Sequence, residues 1–147
     1  MSDSISGPLY VAELAPAYQT RPPLVVDCSV IAAAVFGESN RDVALQRLEG
    51  YALHAPWLID VEFSQVALKK SRTDGPQIAD AGVKYFAEVV IRRYSVDPAS
   101  VVTLARHYDL SAYDAAYLLV ASELRAPLAT FDQQLAKAAQ KHLGSLQ

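Results

Sequence analysis

The chain has 147 residues, of which 52% are hydrophobic and 20% charged, so it is sized and composed for one globular domain rather than for disorder. Its one cysteine, Cys28, excludes an intrachain disulfide, and no apolar run approaches the ~20 residues of a membrane span. The net charge of −3 excludes a uniformly basic surface, but it does not exclude a nucleic-acid partner. With four of the sixteen acids set aside, twelve remain against thirteen Lys and Arg. The start, Met1-Ser2-Asp3-Ser4, lacks the basic and apolar regions of a signal peptide, so a soluble, cytoplasmic protein is expected.

Residues 1–23 hold Gly7, Pro8, Pro16, Pro22, Pro23 and one short apolar patch at residues 9–14. They read as an extension, partly ordered at best, ahead of a domain at residues 24–147. Leu24-Val25-Val26 is a strand, short and continuously apolar as in a sheet covered on both faces. Residues 30–36 form an apolar helix stopped by Gly37. Residues 40–48 form an amphipathic helix with Val43, Leu45 and Leu48 on its apolar face. Residues 51–54 are a second strand, closed by Pro56. Residues 57–70 are a helix with Leu58, Val61, Val66 and Leu68 as its apolar surface and basic residues at its end, where they complement the helix dipole.

Thr73-Asp74-Gly75-Pro76 reads as a turn. The helix at residues 78–91 carries Ile78, Val83, Phe86, Val89 and Val90 as expected core, and residues 94–96 form a short strand. Asp97 caps the next helix, with Pro98 at its first position. Ser111 opens a helix through residue 123 whose interior, residues 115–121, is almost wholly apolar and therefore buried. Residues 127–130 are the last strand, and residues 132–143 the closing helix, stopped by Gly144. Strands alternating with helices imply an α/β fold, parallel pairing and right-handed crossovers, with ligands bound beyond the carboxyl ends of the strands.

Four acids stand where apolar segments meet turns or open helices: Asp27, Glu62, Asp114 and Asp132. Carboxylates gathered on one sheet edge repel one another, and the repulsion is relieved by a divalent cation or by raised pKa values. A carboxylate-only metal cluster suits phosphodiester cleavage. Each acid also has an ordinary role. Asp27 is a loop acid; Ser29 beside it either orients its carboxylate or caps the helix. Glu62 is a good helix former. Asp114 completes a Ser-x-x-Asp capping box with Ser111, yet it heads an apolar helix, where a carboxylate wants a cation or several donors. Either Thr130 or Asp132 caps the last helix. Lys69, seven residues after Glu62, reads as a solvated lysine or as a phosphate contact. His54, His107 and His142 lack metal-ligand spacing. Tyr and Trp show no clustering of a base-stacking platform.

The segments Val25-Val26-Asp27-Cys28-Ser29, Ile59-Asp60-Val61-Glu62-Phe63, Leu110-Ser111-Ala112-Tyr113-Asp114-Ala115-Ala116-Tyr117 and Leu128-Ala129-Thr130-Phe131-Asp132 resemble the PIN domain. Within that superfamily the chain looks most like the VapC toxins of bacterial toxin–antitoxin pairs, over residues 24–143. The resemblance implies a three-layer α/β/α sandwich with a mainly parallel sheet and an acidic pocket for Mg²⁺ or Mn²⁺. It implies a ribonuclease acting on RNA such as tRNA or ribosomal RNA, a cognate antitoxin that blocks the pocket, and a homodimer. Asp27, Glu62, Asp114 and Asp132 would then hold the cation, with Ser29 and Thr130 hydrogen-bonded behind them. Two rivals remain: a PIN-like module that binds RNA or protein without cutting, and a haloacid-dehalogenase-like phosphatase. The second would need an Asp where Ser29 stands.

Overall fold

The computed structural model describes residues 7–12, 21–37 and 39–146. Four strands form one sheet: β1 (Pro23–Val26), β2 (Ala52–Pro56), β3 (Ile91–Tyr94) and β4 (Leu128–Ala129). The order is β3-β2-β1-β4 and every pairing is parallel, with Leu24 opposite Leu53 and Val25 opposite both His54 and Leu128. Leu24, Val25 and Val26 are fully buried, because β1 is central and covered on both faces.

On one face pack α1 (Cys28–Phe36), α2 (Arg41–Leu48), α3 (Leu58–Asp74) and α4 (Pro76–Glu88). On the other lie α5 (Pro98–Tyr108), α6 (Ala112–Leu124) and α7 (Gln133–Gly144). The result is the three-layer α/β/α sandwich with a parallel sheet that the sequence implies. Buried residues run without a break from 115 to 121, so α6 is the central helix of its layer. Among the described residues no helix is long and apolar enough to cross a membrane.

Several local expectations are corrected. The turn expected at residues 73–76 is present but tighter, and the helix before it is longer: α3 runs to Asp74 and α4 starts at Pro76, with Gly75 alone between them at φ +101°. A left-handed backbone there favours glycine. The third strand lies at Ile91–Tyr94 rather than at residues 94–96. Val90, expected in the core, is 88% exposed, and Ile78 and Val83 are also exposed; only Phe86 of that set is buried. On α3 the buried line is Ile59, Phe63 and Ala67, while Val61 and Leu68 face solvent. On α2 it is Ala44, not Val43 or Leu45.

Small residues decide these faces. A Cβ at Gly82 would collide with the Phe36 ring, so α4 approaches α1 at the glycine and turns its branched residues outward. Phe36, Phe63 and Phe86 stack between these helices, with centroids 5.5 and 4.1 Å apart. The extension expected at residues 1–23 lies largely outside the described residues. Residues 7–12, 21 and 22 are described and exposed, and Pro23 already belongs to β1.

Candidate active site

Parallel strands deliver their following residues to one rim. Asp27 leaves β1, Asp132 follows β4 at one turn's remove, Glu62 sits in the second turn of α3 and Asp114 in the first turn of α6. Asp27 is 6% exposed and is the one buried charged side chain among the described residues. Burying a carboxylate is costly unless donors compensate. Here Ser29 Oγ and Thr130 Oγ1 donate to its Oδ2 at 2.9 and 2.7 Å. Oδ1 accepts no hydrogen bond among the described residues. The backbone locks the same corner: Asp27 N–H donates to Ala129 C=O at 3.0 Å, and Ser29 Oγ accepts from Phe131 N–H at 3.1 Å. Ser29 lies inside α1, so its role is to brace Asp27 rather than to cap.

Glu62 Oε1 accepts from Tyr117 Oη at 2.6 Å. Tyr117 is fully buried on α6, one helical turn beyond Asp114 and on the same face. The sequence reading missed it, because a tyrosine in an apolar run reads as core. Its signal was the i, i+3 spacing from Asp114. Ser111 caps α6, accepting from Asp114 N–H at 3.1 Å. Asp132, not Thr130, caps α7, accepting from Leu135 N–H at 2.8 Å through Oδ1. Thr130 Oγ1 in turn accepts from Asp132 N–H at 2.9 Å. Lys69 is exposed on the Glu62 side of α3, two turns further on, and makes no ion pair among the described residues.

The acids sense one another. Burial pushes the Glu62 carboxyl above its ordinary value, the charges of Asp27 and Asp114 push it further, and the Tyr117 bond opposes them. Burial likewise raises Asp114, followed by the charges of Asp132 and Asp27. Burial, then Glu62 and Asp27, pushes the Cys28 thiol up to about 12, so it is protonated and inert at neutral pH. Burial and the carboxylate partner raise the Tyr117 hydroxyl as well, so it stays a donor. Asp27, Glu62 and Asp114 therefore lie within one another's electrostatic reach, and Asp132 joins them through Asp114.

The donor set fits a hard, oxygen-preferring cation such as Mg²⁺ or Mn²⁺. Among the described residues no three His, Cys, Asp or Glu side chains form a ready-made metal-binding group. A hard cation such as Mg²⁺ commonly keeps several waters and takes only one or two carboxylates directly.

The histidines stand elsewhere. His54 Nδ1 lies 2.7 Å from Tyr94 Oη, and burial, then Arg92, lowers its pKa. His142 is held by Tyr108 Oη at 2.8 Å and Ser122 Oγ at 3.0 Å. His107 packs edge-on against Tyr108. Arg93 grips Asp60 with two bonds of 2.6 and 2.8 Å, so Asp60 is committed outside the acid cluster.

The PIN domain family model matches residues 24–141, and the chain belongs to that family. Over 119 residues the chain is 29% identical to the VapC ribonuclease Mb0985 of Mycobacterium bovis and to ribonuclease VapC9 of Mycobacterium tuberculosis, which covers 80% of this chain and 91% of each relative. The crystal structure of PAE2754 from Pyrobaculum aerophilum aligns with a TM-score of 0.63, covering 84% of this chain and 93% of that one. At 20% identity that likeness is one of fold.

Proposed function

We propose that this protein is a metal-dependent endoribonuclease, the toxin of a toxin–antitoxin pair, acting in the cytoplasm. The single observation that carries the reading is the rim where Asp27, Glu62, Asp114 and Asp132 lie within one another's fields on a PIN fold. The names of the VapC relatives support RNA as substrate and a cognate antitoxin as partner; a homodimer and a tRNA or ribosomal RNA target belong to the same reading.

In this reading Asp27, Glu62 and Asp114 hold Mg²⁺ or Mn²⁺, partly through water, and Asp132 completes the pocket with the oxygen its cap leaves unused. The chemistry such a cation supplies when bound is Lewis-acid polarisation of a phosphoryl oxygen and acidification of water. The chain's own groups do the positioning. Ser29 and Thr130 fix the Asp27 carboxylate by one oxygen, and Tyr117 fixes Glu62. Positions fixed by such partners cost no reorganisation when charge develops. Lys69 contacts an RNA phosphate from the same side of α3.

Exposed aromatics suit the RNA reading better than the sequence suggested. Tyr113 precedes Asp114 and is 64% exposed; Phe131 precedes Asp132 and is 42% exposed. Exposed rings next in sequence to two of the acids favour unpaired bases, which stack on such rings.

The test is cleavage of an unpaired RNA oligonucleotide with Mn²⁺, with chelator, and with Asp27→Asn. Cleavage that needs the cation and is lost in the variant supports the proposal. A well-folded wild-type protein that neither cuts nor gains thermal stability with Mn²⁺ points instead to the silent binding module.

A further inference from the structure

We propose that Leu9-Tyr10-Val11 docks onto its own domain as an antiparallel fifth strand along the outer edge of β4. Two unpartnered surfaces on one chain lead there. The first is the segment. Leu9, Tyr10 and Val11 are 90%, 85% and 70% exposed, three successive large apolar residues in water. Tyr and Val favour strands, and Pro8 is tolerated at a sheet edge.

The second surface is a groove of about 730 Å³ whose lining includes Val43, Ala44, Leu128, Phe131, Ala139 and Leu143. Its walls come from opposite faces of the sandwich: α2 packs with α1 on one side, α7 with α6 on the other. Its floor is β4, the last strand in the order β3-β2-β1-β4. The groove therefore straddles the sheet edge where one more strand would lie. Pro127 and Ala129 turn their carbonyls toward β1, accepting from Val25 and Asp27 N–H at 2.9 and 3.0 Å. By strand alternation Leu128 and Thr130 present their backbone groups outward. An exposed strand edge with open hydrogen-bonding groups invites another strand.

Connection and direction agree. The chain enters the sheet at Pro22, whose carbonyl accepts from Ala52 N–H at 2.9 Å, and Pro127, beside Val25, forms part of the groove. The tether therefore ends at the start of β1, one strand in from the lower lip of the groove. Residues 13–20 span at most about 26–29 Å when extended, far more than the width of one strand pair. An antiparallel strand would leave the groove at that same lip, so the return is short. An antiparallel edge on a parallel sheet is a common arrangement. Alternation would send Leu9 and Val11 to one wall and Tyr10 to the other; both walls are mainly apolar, with Gln46 and Arg47 on one and Gln140 on the other.

Hydrogen exchange on the full chain tests this, comparing wild type with Leu9→Asp/Val11→Asp, whose altered residues lie outside the core. The Leu128 and Thr130 amides should exchange at least about tenfold more slowly in wild type than in the variant, as amides gaining a ladder partner do. A second variant, Val11→Cys/Ala136→Cys, should oxidise to an intrachain link and stay monomeric on a non-reducing gel; native Cys28 is buried and does not compete. Equal exchange together with no link overturns the proposal. A link between two chains overturns it too, in favour of strand exchange with a second copy.

Discussion

Two polar clusters hang on the ends of α6, and they have opposite characters. At its start, Asp114 and Tyr117 join Asp27, Glu62 and Asp132. At its end, Ser122 meets His142 and Tyr108. The second cluster is self-satisfied: both imidazole nitrogens have a hydroxyl partner, and three helices are pinned together. The first is not. Its donors Ser29, Thr130 and Tyr117 hold the acids in place, yet burial, with the neighbouring charges added to it, still raises the pKa of Glu62 and of Asp114. A network whose bonds all close serves the fold. A network that is braced but keeps excess charge holds free energy that a bound proton or a cation can release.

The largest effect expected from breaking that contrast comes from Asp27→Asn. RNA cleavage should fall by roughly 10²-fold or more, the order seen when one group stabilising a transition-state charge is removed. Thermal stability should hold or rise, because a buried negative charge has been taken away. A melting curve alongside the cleavage assay reads both, and a large drop in Tm would recast Asp27 as a structural residue.

Next comes pH and cation dependence. The Glu62 and Asp114 carboxyls lie above their ordinary values of 4.5 and 3.8. The folded state therefore holds those protons more tightly than the unfolded chain does. The stability this contributes is fully present below the ordinary values and is lost as pH climbs through the raised ones. Without divalent ions, Tm should fall over that window on the way to neutral pH. Mn²⁺ at neutral pH should restore several degrees, since a ligand at a hundred times its Kd contributes about 2.7 kcal/mol. A metal-free Tm that climbs with pH through that window contradicts the repulsion argument.

Tyr117→Phe sharpens the comparison more gently. It leaves Glu62 without its donor, so the Glu62 carboxyl should move further up and the acidic limb of the cleavage profile should shift to higher pH. Stability should drop by about 1 kcal/mol, a typical net hydrogen bond. The smallest effect on chemistry belongs to the other cluster. Ser122→Ala should cost about 0.5–1.5 kcal/mol in denaturant unfolding and leave cleavage unchanged. Loss of cleavage in that variant would mean the two ends of α6 are coupled after all.

The legible parts of the sequence were those where one physical signal dominates. Leu24-Val25-Val26 can only be a strand buried on both faces, and residues 115–121 can only be an inside helix. The caps at Asp97 and Ser111 also stand where the chain placed them, accepting from Ser100 and Asp114 N–H. The amphipathic helices were less legible. Val43, Val61, Ile78 and Val83 satisfy a hydrophobic pattern but face solvent, while Ala44, Ala67, Ala79 and Gly82 are buried in their place. Hydrophobicity ranks side chains by what burial is worth; close helix approach ranks them by what fits. At Gly82 the second criterion wins against the Phe36 ring.

From the chain alone came the alternation of strands and helices, the parallel sheet, and the placing of acids at the carboxyl ends and helix starts, because period and turn chemistry are local. Only the tertiary structure decided that Asp27 is the buried acid, that Ser29 and Thr130 hold it by a single oxygen, and that Tyr117 reaches across 55 positions to Glu62. It alone shows that, among the described residues, β4 leaves an edge open between helices from two layers. Those facts depend on which distant surfaces meet, and contact between distant surfaces leaves no period in a sequence.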